Sequence, residues 1–270
     1  MSIIQAIVLG VIQGVTEFLP ISSSGHLVFI PKLFGWVDQG LAFDTIMHLG
    51  TLLAVVVYFR KKIWSILRAV FLYRRTEMKQ DRKLGWLLIL SIIPAGVVGL
   101  LFDNWIETNL RSTSVIAFGL IFWGIMLFFA DRYSRKNIVE RRKNLDSTDW
   151  KQTLFIGCAQ AIALIPGTSR SGITMTAGLF SKFDKKSAAE FSFLMSIPVI
   201  ALAGLLQVLE LAQNGLGNVA MLPLIIGFIS AVVSGFFAIT GLMKIIQKWS
   251  FAPFVVYRVV IGVLILVYLI

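Results

Sequence analysis

Cysteine, histidine and charged residues are all scarce in this sequence. The single cysteine, Cys158, excludes an intramolecular disulfide bond. Only two histidines occur, and no group of cysteines and histidines has the spacing of a zinc or iron–sulfur site. Any metal ion bound by this chain would therefore need oxygen ligands.

Charged residues contribute 14% of the 270 residues, whereas hydrophobic residues contribute 57%. With a mean hydropathy of +0.83, a soluble domain of this size would have too little interior to bury its apolar side chains. The sequence therefore predicts an integral membrane protein. The apolar stretch from Ile3 to Leu19 has no basic flank and no cleavage motif, so we do not expect a removable signal peptide.

The formal net charge of +11 is unevenly distributed along the chain. Residues 60–83 carry nine Lys and Arg, and residues 131–151 carry seven more. Both segments lie beside apolar stretches, where basic residues usually mark the cytoplasmic side of a membrane. This distribution explains the charge without a nucleic-acid partner.

Six stretches are long and apolar enough to cross a membrane. They lie at about residues 41–59, 84–102, 114–130, 187–211, 219–243 and 253–270. Two further apolar regions, 3–35 and 152–182, are interrupted midway by Pro, Ser and Gly. With the basic segments inside, the first region enters and leaves from the outer face, and the second from the cytoplasm.

This order predicts an inverted-topology repeat. We expect an all-α polytopic membrane protein with six transmembrane helices and two re-entrant helix pairs. It would form a single membrane domain, with repeat one at about 1–131, a cytoplasmic linker at 132–151 and repeat two at about 152–270. Irregular backbone at membrane depth must be buried or line a watery cavity, so the two interruptions should meet near the midplane.

The two interruptions resemble each other in sequence. The first reads LPISSSGHL and the second PGTSRSGIT, and a constant offset of 147 residues aligns them. At this offset Ser23 corresponds to Arg170. Identical residues occur in the pairs Gln13 and Gln160, Ser22 and Ser169, Ser24 and Ser171, and Gly25 and Gly172.

Each interruption offers groups that bind an anion. A helix that restarts after a Ser/Gly-rich break presents backbone N–H groups without intrahelical partners. The guanidinium of Arg170 matches the geometry of phosphate oxygens, and charged residues at membrane depth are usually functional. We therefore predict one anion site, with Glu17, Ser23, His26 and Arg170 at its centre. The surrounding binding residues would be Gln13, Ser22, Ser24, Gly167, Thr168, Ser169, Ser171 and Thr174.

Each of these residues also has a structural interpretation. Small residues in membrane helices often serve close packing. Arg170 could neutralise a buried acid, Glu17 or Glu190, as a structural pair. His26 could cap a helix, and we expect His48, within an apolar run, to serve structure only.

The segments QGVTEFLPISSSGH (13–26), PGTSRSGIT (166–174) and AAEFSFLMSIP (188–198) closely resemble the undecaprenyl-diphosphate phosphatases of the bacitracin-resistance family. The resemblance covers essentially the whole chain. It implies a phosphatase in the bacterial inner membrane that hydrolyses undecaprenyl diphosphate to the monophosphate. A homodimer is compatible with this resemblance. The carrier lipid would thereby be recycled for peptidoglycan and other cell-wall polymers.

The same resemblance implies roles for particular residues. Ser23 is the implied nucleophile, His26 its acid/base partner and Arg170 the clamp on the diphosphate. Glu17 is implied as a catalytic or metal-coordinating carboxylate, with Mg²⁺ or Ca²⁺ as the cation. Whether serine or histidine takes the phosphoryl group stays open.

A secondary transporter or flippase for an anionic or lipid-phosphate substrate is the competing hypothesis. Inverted repeats with broken helices at the midplane are above all a transporter architecture. An ion-coupled carrier would require more ionisable groups inside its spans than this sequence supplies. Because the first interruption is predicted to enter from outside, we expect the site to open to the outer face.

Overall fold

The computed structural model describes residues 1–72, 78–136, 144–214 and 220–269, and no strand occurs within these ranges. Six helices occupy the first half, α1 (Ile3–Phe18), α2 (Ser23–Leu33), α3 (Gly40–Tyr58), α4 (Arg60–Phe71), α5 (Lys79–Asn109) and α6 (Thr113–Lys136). After a short 3-10 turn at Leu145–Ser147 come α7 (Trp150–Ile162), α8 (Arg170–Phe180), α9 (Lys185–Asn214), α10 (Met221–Lys248) and α11 (Ala252–Leu269).

Five of the described helices, α3, α5, α6, α9 and α10, are long and apolar enough to cross a membrane. They coincide with five of the six predicted spans. The sixth predicted span, 253–270, corresponds to α11, which is apolar but shorter. A helix satisfies its backbone hydrogen bonds internally, as the bilayer core requires. The chain is therefore a multi-pass helical membrane protein.

One helix was not predicted. The basic segment 60–83, expected to be a connection, contains α4 and the first turn of α5. Ile66 and Val70 of α4 pack against α5 at Gly85, where a β-carbon would lie only 2.9 and 2.7 Å from them. An ion pair of 2.7 Å between Lys62 and Asp81 also joins the two helices. The segment is amphipathic, but its basic residues were interpreted only as a cytoplasmic anchor.

The two predicted interruptions are breaks between helices. Leu19 ends α1 in an extended conformation immediately before Pro20, as steric contact with a proline ring favours. Ser22 then adopts φ +75° ahead of α2. In the second break, Gly167 has φ +86° and Ser169 has φ +70° ahead of α8. Helices α2 and α8 begin at residues 147 apart, the sequence offset of the two motifs.

Helix α1 packs closely on α10 through small residues. A β-carbon at Gly14 would lie 2.6 Å from the carbonyl oxygen of Ala231 and 2.7 Å from the nitrogen of Gly235. One helical turn earlier on α1, Gly10 touches the backbone of Gly227. Small residues let membrane helices approach at backbone distance. The first broken segment is thereby held against the second half of the chain.

Helix α7 makes the corresponding contact with α5. Gly157, which lies 147 residues after Gly10, touches the backbone of Ser91, and a β-carbon there would be 3.3 Å from the Pro94 ring. Each broken segment therefore packs against the second long helix of the other half. This exchange brings the two breaks to the same place in the molecule.

Candidate active site

A cavity of about 160 Å³ lies between the two breaks. Helices α1 and α2 contribute from the first break, α7 and α8 from the second, and α3 closes one side. The lining residues are Glu17, Ser22, Ser23, Ser24, His48, Ala163, Ser169 and Arg170. Six of these eight residues belong to the predicted anion site, and the others are His48 and Ala163.

The carboxylate of Glu17 joins the two halves of the site. Its Oε1 lies 2.6 Å from Nη2 of Arg170, with both side chains largely buried. Its Oε2 accepts hydrogen bonds from Oγ of Ser23 at 2.7 Å and from Nε2 of Gln13 at 3.0 Å. One acid therefore contacts both the implied nucleophile and the implied phosphate clamp, which correspond to each other in the repeat.

Arg170 keeps donors available beyond its bond to Glu17. Its Nη1 donates to the carbonyl oxygen of Ser192 at 3.4 Å, a long bond. A guanidinium has five N–H groups, so three are left without an acceptor in the described residues. Thr174 supports the start of α8 by donating to the Arg170 carbonyl at 2.8 Å and by bonding to the Ser192 hydroxyl at 2.7 Å. Arg170 could thus hold Glu17 and bind phosphate together.

The two serine caps share a backbone conformation and a hydroxyl contact, but only Ser169 makes a side-chain cap hydrogen bond. In each break, the hydroxyl of the cap serine lies 3.3 Å from that of the serine two residues later, Ser22 to Ser24 and Ser169 to Ser171. The Ser169 hydroxyl also accepts from the backbone N–H of Gly172 at 3.2 Å. The helices therefore begin in equivalent conformations on both sides of the cavity.

Backbone amides at these helix starts are available to an anion. Within the described residues, the N–H groups of Ser23, Ser24, Arg170 and Ser171 have no acceptor. The positive end of the helix dipole points in the same direction. A phosphate group in the cavity would therefore find amide donors at both of its ends, in addition to the guanidinium.

The two histidines occupy different environments. His26, the predicted acid/base partner, is buried, and its Nε2 lies 2.7 Å from the hydroxyl of Tyr257. It is not among the residues that line the cavity. His48, expected to serve structure only, does line the cavity, with Nε2 3.8 Å from Oε2 of Glu17.

Several predicted binding residues connect the two breaks and do not line the cavity. The hydroxyl of Ser171 donates to the Leu19 carbonyl at 3.0 Å, so the second break is tied to the first. The carbonyls of Gly167 and Thr168 accept hydrogen bonds from one arginine of α11. A side chain at Gly167 would collide with the backbone of Ile116 on α6, and the positive φ already favours glycine there.

That arginine, Arg258, was missed by sequence reasoning. It is fully buried and donates at 2.8–3.2 Å to five backbone carbonyls, those of Pro20, Gly119, Leu120, Gly167 and Thr168. These carbonyls come from both breaks and from α6. A charged residue within an apolar span is a functional signal by default, and Arg258 within 253–270 carried that signal. It holds the two breaks at a fixed separation.

The residues present do not form a metal centre of their own. In the described part of the chain, no group of three or more His, Cys, Asp and Glu residues lies close enough to hold an ion. Both oxygens of Glu17 already accept hydrogen bonds or an ion pair. Magnesium is commonly held by one carboxylate together with substrate phosphates. A cation here would depend on phosphate oxygens for most of its ligands.

The fold and the cavity define a multi-pass helical membrane protein with a polar cavity where two helix breaks meet. Comparison with known proteins gives the family. The chain belongs to the bacitracin resistance protein BacA family, whose model matches residues 6–264.

Similar proteins match this chain over nearly all of its length. Undecaprenyl-diphosphatase 2 of Stutzerimonas stutzeri (strain A1501) is 47% identical over 270 residues, covering 99% of this chain and 98% of the relative. Undecaprenyl-diphosphatase 1 of Pseudoalteromonas translucida (strain TAC 125) is 48% identical over 272 residues, covering 100% and 99%. Undecaprenyl-diphosphatase of Hahella chejuensis (strain KCTC 2396) is 48% identical over 274 residues, with the same coverage.

Proposed function

We infer that this chain hydrolyses undecaprenyl diphosphate to undecaprenyl phosphate and orthophosphate. The reaction recycles the lipid carrier of cell-wall polymer synthesis and thereby opposes bacitracin. Family membership and relatives of this name over the whole chain support the inference. The observation that carries it in the structure is the Glu17 carboxylate, which contacts Ser23 and Arg170 within one cavity.

We propose that Ser23 attacks the terminal phosphorus. Its hydroxyl already donates to Glu17 at 2.7 Å, so the carboxylate is placed to take the proton as the Oγ–P bond forms. The bridging P–O bond breaks, and its electron pair leaves with undecaprenyl phosphate. Water then attacks the phosphoserine, orthophosphate departs and Ser23 regains a proton.

Positioning and charge neutralisation are the main demands of phosphoryl transfer. In this proposal the three remaining N–H groups of Arg170 bind oxygens of the diphosphate. The amides at the starts of α2 and α8 add donors that are already oriented before the substrate arrives. A divalent cation, Mg²⁺ or Ca²⁺, would arrive bound to the diphosphate and supply further neutralisation.

We propose six membrane spans and two re-entrant pairs for this fold. In this layout α1 with α2 enters from the outer face, α7 with α8 enters from the cytoplasm, and the halves form an inverted repeat in the inner membrane. The basic residues near α4 and α9 support a cytoplasmic location for those helix ends. The matching breaks and the exchanged packing of α1 and α7 support the repeat.

Site-directed labelling tests this layout. Phe34 follows α2 and Lys182 follows α8, and both are exposed. In a Cys158→Ser background, a cysteine at 34 should react with an impermeant maleimide from outside, and one at 182 only after the cytoplasmic face is opened. Labelling of both positions from the same side would contradict the inverted repeat.

Phosphate release tests the activity itself. The purified protein in detergent should release orthophosphate from undecaprenyl diphosphate, and the Ser23→Ala variant, purified in parallel, should not. A transporter or flippase would bind or move the lipid without releasing phosphate. Because the assay needs no membrane, it separates hydrolysis from transport in one measurement.

A further inference from the structure

The side chain of His48 lines the cavity from α3, the helix that closes one side of it. Its Nδ1 lies 2.8 Å from the carbonyl oxygen of Asp44. A carbonyl oxygen only accepts, so Nδ1 carries a hydrogen and the plane of the ring is fixed. Nε2 is therefore the atom left to meet a ligand, and it lies 3.8 Å from Oε2 of Glu17.

The ring of His26 is committed elsewhere. Nδ1 lies 2.7 Å from the carbonyl oxygen of Ser22, and Nε2 lies 2.7 Å from the hydroxyl of Tyr257. Because Nδ1 must donate to a carbonyl, a neutral ring accepts the Tyr257 hydroxyl at Nε2. The ring also stacks on Tyr257 at an interplanar angle of 4°. Through these two bonds the ring links Ser22, at the start of α2, to Tyr257 on α11.

The two rings also differ in exposure. The side chain of His48 is 35% exposed, whereas His26 is 4% exposed. Nε2 of His48 lies in the same cavity as the Ser23 hydroxyl and the guanidinium of Arg170. An apolar residue on α3 at this depth would leave this wall without a polar contact for phosphate.

We propose that His48 is the histidine that contacts the substrate. Because Nδ1–H is held by the Asp44 carbonyl, the ring donates at Nε2 as the imidazolium, and this second N–H binds an oxygen of the terminal phosphate opposite the donors of Arg170. His26 is a positioning residue that fixes the start of α2, and with it Ser23. This assignment rests on the proposed phosphatase function. It moves the direct role that the family resemblance implied for His26 to His48, which was expected to serve structure only.

Chemical modification tests the assignment without measuring turnover. The chain has only two histidines, so diethyl pyrocarbonate products can be assigned by peptide mass spectrometry. His48 should react at least ten-fold faster than His26. A farnesyl methylenediphosphonate, in which CH₂ replaces the bridging oxygen, should protect His48. Faster or protected labelling of His26, or no protection of either ring, would overturn the proposal.

Kinetics of matched variants supply the second test. His48→Leu should reduce kcat/KM about 100-fold, whereas His48→Gln, whose amide can still donate, should lose less than ten-fold. Equal losses in the two variants would mean that His48 serves packing only. In Tyr257→Phe, which leaves Nε2 of His26 without its partner, kcat should fall while KM changes little, because positioning of Ser23 is affected and phosphate binding is not.

The two tests separate two kinds of failure. If the purified chain releases no phosphate, the proposed function is wrong, although protection of His48 could still be observed. If phosphate is released but His48 is neither protected nor sensitive to leucine, only the assignment of His48 is wrong.

Discussion

The first and second breaks share one backbone but carry different chemistry. Both have a serine cap with φ near +70°, a serine hydroxyl pair 3.3 Å apart and a helix that begins at the equivalent residue. The positions that differ at the 147-residue offset include four pairs that involve a charged residue or a histidine: Glu17 and Leu164, Ser23 and Arg170, His26 and Ile173, and His48 and Met195.

This difference explains why two similar breaks form one site. In the proposed mechanism the first break and α3 supply the acid, the hydroxyl nucleophile and the imidazole, whereas the second break supplies the guanidinium of Arg170. The shared backbone supplies amide donors on both sides. The side chains that differ make the two sides of the cavity chemically different. Four predictions test that division, beginning with the largest expected effect.

Ser23→Ala should abolish turnover by several orders of magnitude, since it removes the proposed nucleophile and leaves binding in place. The measurement is phosphate release from undecaprenyl diphosphate under single-turnover conditions. Rates near wild type, together with a trapped phosphohistidine, would show that a histidine is the nucleophile and Ser23 is not.

Arg170→Lys should reduce kcat/KM about 100-fold, comparable to the loss of one preorganised donor to a transition state. Lysine keeps the charge but cannot reproduce the planar fork of donors that spans Glu17 and phosphate. The variant should still insert and purify. A fully active lysine variant would reduce Arg170 to a structural counter-ion for Glu17.

Arg258→Met should destabilise the protein by about 3 kcal/mol or more, since several buried carbonyls in both breaks lose a charged donor. The measurement is thermal unfolding in detergent. Val256→Met on the exposed face of α11 is the matched control and should unfold close to wild type. An unchanged unfolding temperature for Arg258→Met would show that the breaks keep their separation without it.

The smallest effects on kcat/KM are expected for Ser22→Ala and Ser24→Ala. Each loss should correspond to about 0.5–1.5 kcal/mol, the usual value of one neutral hydrogen bond. Their hydroxyls bond to each other and have counterparts in the second break, so they belong to the shared scaffold. Ser169→Ala, measured for kcat/KM beside them, should behave alike. A loss as large as that of Ser23→Ala would contradict the division.

Much of this arrangement could be predicted from sequence because it repeats. The constant offset indicated that Ser23 and Arg170 meet, and the structure places both in one cavity. The apolar spans were readable from length and composition, and a helix occupies each of them, although α11 at the sixth is shorter than the other five. Helix α4 was missed because the basic residues of its segment were interpreted as marking a cytoplasmic connection, although the segment is amphipathic.

The parts that could not be predicted depend on long-range contacts that have no counterpart in the other half of the repeat. His48 resembles a core residue within its apolar helix, and only the packing of α3 beside α1 brings its Nε2 near Glu17. Arg258 acts through backbone carbonyls of distant segments, which leave no pattern in the sequence. Its charge gave a signal, but its partners gave none.

The two breaks are proposed to form a single catalytic site, and a double-mutant cycle between Glu17→Gln and Arg170→Lys tests this proposal most directly. The two side chains are 2.6 Å apart and are proposed to act in the same transition state. We expect the fold-loss in kcat/KM of the double variant to be at least ten-fold smaller than the product of the two single fold-losses. This corresponds to a coupling free energy of about 1.4 kcal/mol or more. Losses that multiply, as for independent residues, would contradict a shared site.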